Sequence, residues 1–92
     1  NNVDPETAPK TRSIIIQPAH AYLYNKVISI SFEEMIPTVT IRVLKESTGE
    51  TIYSQEYMNP AEVSINLNMQ ASGTYYIEII SDEISLEGEF TL

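Results

Sequence analysis

The run Ser72-Gly73-Thr74-Tyr75-Tyr76-Ile77-Glu78-Ile79 joins a turn signal, a pair of tyrosines and an alternating strand within eight positions. Its apolar residues Tyr75, Ile77 and Ile79 share one parity, so a pleated strand puts all of them on one face. The same period recurs along the chain. Ile28, Ile30 and Phe32 alternate with Ser29 and Ser31, and Val39, Ile41 and Val43 alternate with Thr40 and Arg42. Val63, Ile65 and Leu67 alternate with Ser64, Asn66 and Asn68, and a last run of Ile84, Leu86, Gly88, Phe90 and Leu92 reaches the final residue. No segment shows the 3.6-residue period of a helix. The pattern predicts an all-β domain.

The punctuation agrees. Asn25-Lys26, Ser47-Thr48-Gly49-Glu50, Asn59-Pro60 and Ser81-Asp82-Glu83 separate the runs, and Glu33 to Pro37 forms a connecting loop. Gly49 is free to take the positive φ of a hairpin turn. The first apolar run, Ser13 to Gln17, stops at Pro18 and resumes over Ala21 to Tyr24. Proline cannot donate to a ladder, so this reads as one edge strand split in two. Thr51 to Met58 is a strand of weaker pattern, with apolar residues on both parities. About seven strands result, spaced as in a β-sandwich. Asn1 to Thr11, with two prolines and one large apolar residue, reads as a flexible tail (1–11) ahead of a sandwich domain (12–92).

Ninety-two residues make one small domain, with a core that buries roughly 60–65% of the surface the unfolded chain exposes. Thirteen acidic residues against five basic ones give a net charge of −8. That charge repels phosphate backbones and anionic surfaces, which argues against nucleic acid as a partner. No run is long and apolar enough for membrane insertion. With no cysteine, neither a disulfide framework nor a thiol nucleophile is available. The chain starts at Asn1 without an apolar leader, which suggests a trimmed product.

Several features resemble immunoglobulin domains. In those domains a tyrosine near the start of strand F, two residues before the second bridging cysteine, bonds back to the upstream backbone. The resemblance makes Tyr75 such a tyrosine corner, with its acceptor between Leu67 and Gln70. It puts Ile77 and Ile30 where the cysteines would stand and Ile41 in the region of the buried tryptophan. More closely, residues 12–92 are similar to a family of small exported immunoglobulin-like proteins of unknown function from Gram-negative gut anaerobes. The similarity rests on Arg12-Ser13-Ile14-Ile15 with Pro18, on Val39-Thr40-Ile41-Arg42-Val43 with Gly49, and on Gly73-Thr74-Tyr75-Tyr76-Ile77. It implies export to the periplasm, cell surface or medium. The half from Val39 onward also resembles the C-terminal sorting domains of a secretion system in such bacteria. Those often end in basic residues, whereas this chain ends Glu89-Phe90-Thr91-Leu92, which favours a standalone exported domain.

Candidate chemistry is sparse. His20 is the only histidine, and no neighbouring nucleophile and orienting group make it a catalytic base. The carboxylate pairs Glu33-Glu34, Asp82-Glu83 and Glu87 with Glu89 fall in loops or on a polar strand face, where solvation is the ordinary state. No calcium-loop motif is present. The expectation is no catalytic residue, no metal and no cofactor. Arg42 is expected to pair with Glu78 on the neighbouring strand. Six tyrosines raise a glycan-binding alternative, because sugars stack on aromatic rings, with Tyr22, Tyr24 and Tyr76 as the ligand-contact candidates. Tyr53 and Tyr57 share a parity on the weaker strand. Pro18, Lys26, Glu56 and Pro60 read as edge protection, the alternative being an edge that accepts a partner strand. The leading reading is a non-enzymatic domain that makes protein contacts.

Overall fold

The computed structural model describes residues 12–15 and 19–92, the first stretch by its backbone alone. The expected tail over 1–11, and Pro18, lie outside the described residues. The strands are β1 (Arg12–Ile15), β2 (Ala19–Tyr24), β3 (Val27–Phe32), β4 (Thr38–Lys45), β5 (Thr51–Met58), β6 (Glu62–Asn66), β7 (Thr74–Ile80) and β8 (Ser85–Thr91). They form two four-stranded sheets, ordered β1-β2-β3-β6 and β5-β4-β7-β8, with every neighbouring pair antiparallel. This is the all-β sandwich that the alternation predicts.

The first run departs from expectation. It is two strands that pair with each other, Arg12 opposite Leu23 and Ser13 opposite Tyr22, with a register shift before Ile15. Thus β2 is an interior strand and only β1 lies on the edge. A proline within an apolar run ends a strand whether the chain continues or reverses, so the one-dimensional pattern could not separate the two outcomes.

The core comes from the alternating positions. Ile28, Ile30, Val63 and Ile65 of the first sheet face Val39, Ile41, Val43, Ile77 and Ile79 of the second, all buried. Ile30 and Ile77 are 1% and 0% exposed. No buried polar or charged side chain occurs among the described residues. Aliphatic packing therefore carries the inter-sheet contact, at about 25 cal/mol per Å² of apolar surface removed from water.

Two turns show how local chemistry sets the register. Asn25 and Lys26 have φ of 54° and 65°, the left-handed pair that a two-residue type I′ hairpin requires between Tyr24 and Val27. Lys26 is an unusual residue for that conformation. Its backbone carbonyl accepts from Leu67 N–H at 2.8 Å, and its Nζ donates to the Gln70 carbonyl at 3.1 Å. The hairpin thus pins the loop that precedes β7. Gly73, at φ 150°, exchanges backbone bonds with Leu92 in both directions. Few residues other than glycine take that φ, and the exchange ties the last residue into the sheet.

β1 and β8 lie together on one lateral side of the sandwich. The strand order leaves β6 and β5 on the other.

Candidate functional site

Among the described residues, antiparallel connectivity gathers three connections at one end of the sandwich: Glu33 to Pro37 between β3 and β4, Asn59 to Ala61 between β5 and β6, and Ser81 to Ile84 between β7 and β8. Backbone bonds hold them in place. Asn59 N–H donates to the Pro37 carbonyl at 2.8 Å, and Phe32 N–H to the Ala61 carbonyl at 3.0 Å. Ser81 Oγ accepts from the N–H groups of Glu83 and Ile84 at 3.0 and 3.1 Å, a local turn that fixes the third connection. A shallow cleft of about 450 Å³ opens here, lined by Ile36, Pro37, Thr38, Thr40, Glu56 and Ile80 to Glu83. Ile36 is buried at its base, while the neighbouring Met35 is 76% exposed. Glu33, Glu34, Glu56, Asp82 and Glu83 are all exposed around this end. Loops on a rigid scaffold are where binding residues concentrate, and methionine adapts to irregular partner surfaces.

The outer face of the first sheet carries the second candidate. His20 and Tyr22, two apart on β2, stack with ring centroids 6.1 Å apart and planes 7° from parallel. His20 Nε2 pairs with the Glu33 carboxylate, and its Nδ1 lies 3.5 Å from the Tyr22 hydroxyl, the outer limit of a hydrogen bond. Sequence reading left His20 without an orienting partner. The two residues are 13 apart in sequence, and the β2–β3 register, which sets Ala19 opposite Phe32, brings them together. Tyr22 also flanks a shallow groove of about 240 Å³ with Ser29, Ser31 and Glu62. Tyr24 shares this face and is 46% exposed.

Tyr76 does not join that surface. It alternates with the buried Tyr75 and Ile77, so it faces outward from the second sheet, across the sandwich from Tyr22 and Tyr24. The three candidate ligand-contact tyrosines therefore form no single platform. Tyr76 lies opposite Leu44 and Glu89. Partial desolvation, then the carboxylates of Glu89, Glu46 and Glu87, hold its phenol above the usual range. Nearby, Arg42 pairs with Glu78 as expected, through Nε at 3.0 Å and Nη2 at 2.6 Å. Such a partly exposed pair contributes about 0.2–1 kcal/mol.

Tyr53 and Tyr57 occupy the inward parity of β5, opposite Val43 and Val39. That explains the weaker pattern of this strand: its half-buried positions take amphipathic rings. The two hydroxyls bond to each other, and both rings pack against the core. Desolvation, followed by the hydrogen bond to Tyr53, pushes the Tyr57 phenol up to about 12. An unfolded tyrosine titrates near 10. The native state therefore keeps this proton longer, so its contribution to stability is full below about pH 10 and is lost as pH rises toward 12. Tyr53→Phe is expected to flatten that part of the stability–pH curve, measured as urea midpoints for both proteins. A slope identical to wild type would dismiss the Tyr53 bond as a cause.

Tyr75 is 1% exposed. Its hydroxyl donates to the Ala71 carbonyl at 2.7 Å, and its ring stacks on Phe90 at 5.8 Å. The acceptor lies one residue beyond the expected Leu67 to Gln70 window. Gln70 instead donates its N–H to the Leu67 carbonyl at 3.0 Å, closing its own turn, and its carbonyl takes the Lys26 Nζ.

Among the described residues no group of three or more His, Cys, Asp or Glu is placed to hold a metal ion, and no helix is long and apolar enough to cross a membrane.

No curated protein matches the chain. The crystal structure of a DUF3244 family protein from Bacteroides vulgatus ATCC 8482, described as having an immunoglobulin-like β-sandwich fold, superposes with a TM-score of 0.83. It is 16% identical and aligns with 90% of this chain and 99% of that one. At that identity the match shows the fold: an immunoglobulin-like sandwich. The sequence pattern of the family "Domain of unknown function (DUF3244)" matches residues 2–92. The chain belongs to the DUF3244 family, whose function is unknown.

Proposed function

We propose that this domain is a non-enzymatic binding module, exported to the cell envelope or beyond, that contacts a protein partner through its loop end. The cleft at that end carries the reading: an apolar floor at Ile36, Pro37 and Ile80, a protruding Met35, and a rim of carboxylates. An apolar centre within a polar rim is the anatomy of a protein contact. The carboxylates favour a partner with a basic face, which they would also steer toward the site. The proposal of export rests on the sequence resemblance, and fractionation of the native cells tests it: cytoplasmic recovery of the mature chain overturns it. For the contact, a photo-crosslinking residue is placed at Met35 in the native host, with a control at Ser64 on the outer face of the first sheet. A discrete adduct from position 35, absent from position 64 and reduced by Asp82→Lys with Glu83→Lys, is expected. Equal labelling from both positions overturns the loop-end reading.

The stacked His20–Tyr22 pair beside the serine-lined groove favours glycan binding as a second reading. An aromatic face next to small hydroxyls offers both stacking and hydrogen bonds to a sugar. Binding on a glycan panel that is lost in Tyr22→Ala and kept in Tyr76→Ala would support it. A blank panel would remove it.

A further inference from the structure

We propose that β5 is a self-complementary edge through which two copies of this chain pair antiparallel, joining their second sheets into one continuous sheet. Among the described residues, four strands lie at sheet edges: β1, β6, β5 and β8. β1 and β6 are short, with four and five residues, and β1 lies beside β8, which carries Glu87 and Glu89 mid-strand. Short length, covering elements and charge are the usual protections against edge pairing. β5 has eight residues, Thr-Ile-Tyr-Ser-Gln-Glu-Tyr-Met, with no proline, no lysine and one charge, Glu56. Lys26, expected to guard an edge, instead sits in the β2–β3 turn.

The backbone orientation follows from the ladder. β5 pairs β4 with Tyr57 opposite Val39 and Gln55 opposite Ile41, and the Asn59 N–H continues the same register by donating to Pro37. In an antiparallel ladder successive residues alternate between bonding the partner and pointing away from it. Tyr53, Gln55 and Tyr57 therefore bond β4, while Ser54, Glu56 and Met58 turn their N–H and C=O groups to the free edge.

A twofold axis between two β5 strands must set residues of the same face opposite each other. Centring it on Gln55 places Tyr53 against the partner's Tyr57 and Ser54 against the partner's Glu56, while Ile52, left without a partner by the register shift beside Val43, packs against the core. Both cross-strand pairs are favourable or neutral, and aromatic pairs are among the best. Centring it on Glu56 would set two carboxylates face to face. Centring it on Ser54 would set Tyr53 against the partner's Gln55 and lose the aromatic pair. Among these three mid-strand registers, charge and side-chain matching select the one centred on Gln55, with a second copy as the occupant. The pairing uses the lateral edge and is independent of the loop-end contact.

Sedimentation velocity of the full chain over a rising concentration series tests this, with amide exchange and two substitutions at one position. A monomer–dimer equilibrium is expected, with the Ser54 and Glu56 amides slowing as concentration rises. Ser54→Glu faces the partner's Glu56 twice per dimer and is expected to raise the dissociation constant about tenfold, while Ser54→Lys lowers it. Circular dichroism confirms that both variants stay folded. A monomer at every concentration overturns the proposal. So does a dimer whose dissociation constant ignores the sign of the charge at position 54, because such a dimer uses another surface or register.

Discussion

Tyr75→Ala is expected to lower the free energy of unfolding by about 3–5 kcal/mol, and Tyr75→Phe by about 0.5–1.5 kcal/mol. The difference separates the two jobs of this side chain. The ring is buried to 1% exposure and stacks on Phe90, so its removal leaves a large cavity in the core beneath β7 and β8. Phenylalanine keeps the ring and loses only the bond to Ala71. A domain of this size has about 5–15 kcal/mol to lose, so the alanine variant approaches unfolding at ambient temperature. Urea denaturation measures both, with equal slopes showing that stability alone has changed. An unchanged midpoint in Tyr75→Phe would mean that the hydroxyl fastens nothing, and the tyrosine-corner role would fall.

Ile77→Ala is expected to cost about 2–5 kcal/mol, toward the upper part of that range, and Ile77→Val about 0.5–1.5 kcal/mol. The spread among such substitutions reflects how far neighbours collapse into the space. Ile77 is fully buried in β7, between Val43 of β4 and Gly88 of β8. Val43 is already packed in the core, and Gly88 has no side chain to move. The cavity therefore stays open. With no cysteine in the chain, no disulfide shares the inter-sheet contact that this side chain makes. A cost for Ile77→Ala below 1 kcal/mol in the same urea experiment would show that the core relaxes around the gap.

Both predictions concern residues whose inward direction could be read from parity. The same reading oriented Ile28, Ile30, Val39, Ile41, Val43, Val63 and Ile65, all of which are buried. It placed Arg42 and Glu78 on an outer face, where they pair. It was less informative on β5, because Tyr53 and Tyr57 are half-buried and their parity alone did not distinguish a core face from a binding face. It failed at Pro18, where a stop signal carries no information about direction. Of the candidate surfaces, only the membership of Tyr22 and Tyr24 in one face was legible. The His20–Glu33 pair, the loop-end cleft and the position of Tyr76 on the opposite sheet required the fold.

Period-two alternation, turn residues at regular spacing and the absence of cysteine and tryptophan determined an all-β sandwich held by aliphatic packing. The Gly73-Thr74-Tyr75 run singled out Tyr75, whose hydroxyl donates to the nearby Ala71 carbonyl. These are local properties, set by which neighbours along the chain share a face. Which strand lies at an edge, which loops converge and which outward tyrosines share a surface are properties of strand order. Strand order is chosen by long-range pairing between segments tens of residues apart, as when β3 passes over its successors to pair with β6. Thus the alternation of Tyr75, Ile77 and Ile79 defines a strand whatever its neighbours are. Only the tertiary structure set it between β4 and β8 and sent Tyr76 to the far side from Tyr22.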